Sequence, residues 1–117
     1  MNSAELHRAM ITAKDDVDNA LRQYENAIIA DANADRKMRI AKSTAYLASS
    51  GTAGERAAHT DKAAIDEIYQ ARLAEGLKRS AGQAVEAKRQ WLSALQSLSA
   101  ADRAEAQLAR WESRETA

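Results

Sequence analysis

The sequence predicts an all-α protein, a long antiparallel helical hairpin with a coiled-coil-like alanine seam, and three observations carry that prediction. Alanines recur seven residues apart at Ala13, Ala20, Ala27, Ala34, Ala41 and Ala48, while Met10, Val17, Tyr24, Asp31, Met38 and Ala45 fill the other seam of the same heptad behind Leu6. Such an a/d pattern, sustained for about six heptads, specifies a helix that lies against another helix. Proline is absent and alanine makes up about a quarter of the 117 residues, so nearly every position favours helix. Finally, the chain's one cluster of turn residues, Ser49-Ser50-Gly51-Thr52-Ala53-Gly54-Glu55, interrupts the pattern and folds it back.

The first helix is predicted over about residues 3–49, a stretch without glycine or proline. Asn2 or Ser3 supplies its N-cap, and Glu5 complements the helix dipole. An alanine seam admits a partner backbone more closely than leucine would, but it buries little apolar area. Leu21 and Ile28, at e positions, widen the apolar stripe and point to a second neighbour. The turn is predicted at 50–52, with Gly51 in a left-handed cap conformation. Thr52 and Glu55 have capping-box spacing at the start of the next helix.

The second helix is predicted over about residues 53–98, with a separate helix or a continuation over about 100–113 and a frayed end from Ser113 to Ala117. If the turn centres on Gly51, facing residues have numbers adding to about 102 or 103. That register sets Asp31 against Ala71 and Arg72, Val17 against Val85, Met10 against Leu92, and Leu6 near Leu95 and Gln96. A carboxylate in a seam costs several kcal/mol unless paired, so Arg72 is its predicted cation. The same register brings Ala20 to Gly82 and Ala27 to Gly76, making close backbone approach the predicted reason for two glycines inside a helix. Ile65, Tyr69, Leu73 and Leu77 step by four and drift around the helix, so they cannot all face one partner. They predict self-association, most simply a dimer forming a four-helix bundle.

Composition narrows the function. Seventeen basic residues balance seventeen acidic ones, so the chain carries no overall field for nucleic acid or anionic lipid. Without cysteine it has no disulfide, thiol nucleophile or thiolate metal site. No signal peptide or membrane-spanning run is visible, which makes the cytoplasm the default location. Glu55 and His59 stand four apart with Asp61 close by, but the paired Glu-x-x-His pattern of metal-binding bundles does not occur, and no cofactor is predicted. Asp15, Asp16 and Asp18 read as a solvated face, as does His7. A narrow hairpin offers no enclosed pocket where polar groups converge, so catalysis is not expected.

Two surfaces remain as candidates. Trp91, Leu95, Leu108 and Trp111 form a possible surface for a protein partner: the first two continue the drifting apolar series, and the last two lie beyond about Ser99, where no counterpart remains on the first helix in this register. Arg36, Lys37, Arg39 and Lys42 form a basic segment suited to nucleic acid, without interleaved aromatics.

The runs Gly51-Thr52-Ala53-Gly54-Glu55-Arg56-Ala57 and Trp91-Leu92-Ser93-Ala94-Leu95-Gln96-Ser97-Leu98 resemble small alanine-rich helical proteins of tailed bacteriophages. The resemblance implies a phage or prophage product made in the host cytoplasm, and it brings no functional residues with it. It also raises an accessory role in phage DNA replication or recombination. The predicted function is therefore a non-enzymatic oligomeric interaction protein, an adaptor, inhibitor or assembly factor, with a nucleic-acid-binding accessory as the alternative.

Overall fold

The computed structural model describes residues 1–116, and their side chains through residue 115; Ala117 lies outside the described residues. It is an all-α helical hairpin with three helices: α1 (Ser3–Ala48), α2 (Ala53–Ala63) and α3 (Ile65–Thr116). No described helix is long and apolar enough to cross a membrane.

Each boundary has a local cause. Asn2 caps α1 in a complete capping box: its Oδ1 accepts the Glu5 amide at 2.8 Å, and its own amide donates to the Glu5 carboxylate at 3.2 Å. At the far end Gly51 takes φ 107°, which an L side chain rarely adopts, and a Cβ there would also overlap the Glu55 carboxylate. Thr52 then caps α2, its hydroxyl accepting the Glu55 amide at 3.2 Å.

The second arm is not one uniform helix: it breaks where no break was predicted, and past Ser99 it takes the continuation, one of the two readings the sequence leaves open. The break falls at Ala64 (φ −101°, ψ 17°), whereas α3 runs through Ser97–Ser99 and the expected frayed region as far as Thr116. Buried Thr60 donates its hydroxyl to the Arg56 carbonyl at 2.8 Å, a back-bond that bends helices. Backbone bonding persists across the bend, from the Ala64 amide to Thr60 and from the Ile68 amide to Ala64, and Asp66 and Glu67 complement the new N-terminus. Those two bonds span the interruption at Ala64, and neither glycine nor proline marks it.

The chain forms two compact units, each with antiparallel helices. The first joins Met1–Leu21 to the stretch of α3 from Ala84 onward. Leu6, Ala13 and Leu95 make its core, with Ala9, Met10 and Leu92 packed against them, and the Ser3 hydroxyl donates to the Asp102 carboxylate at 3.0 Å. The second unit, Arg22–Gln83, contains the turn, α2 and the beginning of α3. Only small residues are fully buried in it: Thr60, Ala64 and Ala71. The alanine row records the contrast, because Ala13 and Ala20 are buried, Ala27, Ala34 and Ala41 are half-buried, and Ala48 is exposed.

Candidate functional site

Asp31 is a half-buried carboxylate on the seam of the second unit, and it does have a cation. That cation is Lys78, whose Nζ lies 2.8 Å from Asp31 Oδ2, and Arg72 does not take the place predicted for it. The physical reason is helix face: Lys78 follows buried Ala71 by seven residues and shares its face, whereas Arg72 is turned about 100° away from it. Lys42 approaches Asp61 at 3.9 Å, in keeping with a count from the turn, and in the first unit Leu6 with Leu95 and Met10 with Leu92 stay close to the same count. Arg72 lines the same shallow depression as Asp31 yet remains exposed. The hydrogen bond to Asp31, and then the carboxylate's charge, raise the Lys78 pKa above the ordinary lysine value of 10.5.

The two helical glycines separate in the same way. A Cβ on Gly82 would come within 3.2 Å of the Tyr24 ring, so its nearest neighbour is that ring. At Gly76 a Cβ would meet nothing within 4 Å, which removes close approach to Ala27 as its reason.

The proposed partner surface divides as well. Leu95 has 0% exposure and belongs to the core, because the hairpin's first unit closes around it with Leu6 and Ala13. Trp91, Leu108 and Trp111 are exposed, as are Ile29, Ile40, Leu73, Leu77 and Leu98. All of residues 101–115 are exposed.

One concavity stands out in the second unit, an open groove of about 530 Å³ between α1 and α3. Leu73, Ala74 and Leu77 line it from α3, and Ala30 and Ala34 from α1. Its polar rim is divided by sign: Lys37 on the α1 side, Asp66 and Glu67 on the α3 side.

The basic segment is partly neutralised within the chain. Arg39 pairs with Asp35 at 2.8 Å and Lys42 faces Asp61, while Arg36 and Lys37 remain for other contacts. Among the described residues no three of His, Cys, Asp and Glu gather closely enough to hold a metal ion. Arg56, which residue spacing did not single out, clamps the turn: its guanidinium carbon lies 4.1 Å from the centre of the Tyr46 ring and Nη2 donates to the Tyr46 carbonyl at 3.0 Å. A cation just beyond a helix C-terminus was the available signal. No protein-family model matches this chain, and neither a curated protein nor a solved structure matches it.

Proposed function

We propose that the chain is a non-enzymatic, self-associating helical interaction protein that acts through protein contacts as an adaptor, inhibitor or assembly factor. One observation carries the reading: the buried apolar residues are mostly alanine, while Ile29, Leu73, Leu77, Trp91, Leu108 and Trp111 stand exposed. Large apolar side chains left in water over a thin core mark surfaces for association. In keeping with the resemblance of the turn and the Trp91 region to phage proteins, its setting is the cytoplasm of a host cell.

The nucleic-acid alternative has less support, since Arg39 and Lys42 already face carboxylates and the net charge is +0. Light scattering from low to high micromolar concentration tests the proposal. A mass rising to that of a dimer is expected, and a strict monomer throughout would contradict it. A salt-sensitive gel shift by a monomeric chain would favour the alternative.

A further inference from the structure

The C-terminal stretch of α3 and the groove of the second unit share an unusual chemical correspondence. From residue 101 to residue 115 every side chain is exposed. Ala104, Leu108 and Trp111 recur at helical intervals of four and three, making one apolar stripe. Arg103, Arg110 and Arg114 follow one flank of that stripe, and Glu105 and Glu112 follow the other. Trp111 itself lies in a shallow surface concavity with Arg110 and Arg114. The groove carries the converse pattern: an apolar floor at Leu73 and Leu77, acids Asp66 and Glu67 on one wall, and the base Lys37 on the other.

We infer that the 101–115 segment of one copy docks as a helix in the groove of a second copy, Leu108 and Trp111 on the floor, its arginine flank against Asp66 and Glu67 and its glutamate flank toward Lys37. This rests on the self-association proposed above and names the surfaces that perform it. Both charged flanks are matched in a single orientation, and the reverse orientation would oppose like charges. Leu77 and Trp111 belong to one unbroken helix, so the docked segment comes from another molecule. Reciprocal docking closes the assembly as a dimer with two equivalent contacts. It also covers the unit that has only Thr60, Ala64 and Ala71 fully buried.

Sedimentation equilibrium on the full chain and three variants tests the assignment, with circular dichroism to confirm helix content. Trp111→Ala removes the anchor and should weaken the dimer about tenfold or more, as loss of a central aromatic does. Asp66→Lys with Glu67→Lys should also weaken it, and adding Arg110→Glu with Arg114→Glu to that chain should restore it. In a Trp91→Phe background, where Trp111 is the sole tryptophan, its emission should shift to the blue as the dimer forms. A wild-type dimer that all these variants retain at unchanged affinity, or one whose Trp111 emission stays that of a solvated ring, would overturn the docking but leave self-association standing. A monomeric wild type would remove both.

Discussion

Asp31 shows how much a single residue's partner depends on which face of the facing helix a cation occupies. Its identity on an apolar seam announces that a cation must be near, and Lys78 meets that need with a 2.8 Å contact. Asp31→Ala and Lys78→Ala are each predicted to destabilise the fold and to couple in a double-mutant cycle, whereas Asp31→Ala and Arg72→Ala should be additive. Coupling to Arg72 in place of Lys78 would contradict the pairing. Because the folded-state pKa of Lys78 lies above its unfolded value, on the alkaline side the pair's contribution is kept up to about pH 10.5 and is lost as pH rises through the raised pKa. Urea titrations between mildly and strongly alkaline pH should therefore show a steeper loss for wild type than for Lys78→Met. Gly76 and Gly82 make a second contrast. With open space around its Cβ, Gly76→Ala should stabilise the fold by about 0.5–1 kcal/mol, while Gly82→Ala should gain less or lose stability against the Tyr24 ring. Equal stabilisation by both would refute that difference.

At the scale of elements, α1 was legible almost to the residue, because its heptad pattern is unbroken and its ends carry recognisable caps and a turn glycine. Gly51→Ala is predicted to cost of order 1–3 kcal/mol by forcing a side chain into a positive-φ conformation, and Thr52→Ala about 1 kcal/mol through the lost cap. Chemical denaturation reads both, and unchanged midpoints would count against the turn's role. The second arm was legible only in outline. Its bend at Ala64 arises from a threonine hydroxyl returning to its own backbone, a choice that periodicity does not reveal. Counting from the turn brings the right stretches together but does not say which side chains turn inward, which is why Arg72 and Gly76 were misassigned while the existence of a second helix was not. Leu95 was legible in one respect and not in another: counting from the turn sets it near Leu6, where it is fully buried, so it does not belong to the partner surface it was also assigned to. Leu95→Ala should cost about 2–5 kcal/mol, and exposed Trp111→Ala should leave helix content unchanged. Equivalent effects of the two on folding would contradict this division of core from surface.

For the molecule as a whole, the consequence of an alanine seam is a hairpin whose first unit has a small leucine-containing core and whose second unit fully buries nothing larger than threonine. The sequence revealed the thinness of the seam and the surplus of large apolar residues, but the groove depends on which side chains two helices bring together, and only the structure shows that. Its floor of Leu73 and Leu77, with acids and a base on opposite walls, is the kind of surface that another helix covers. If association supplies the missing burial, stability becomes a property of protein concentration. The most direct test is therefore the thermal unfolding midpoint of the wild-type chain measured over about a hundredfold range of concentration. The midpoint is predicted to rise steadily with concentration, and a midpoint that stays constant over that range would contradict the account.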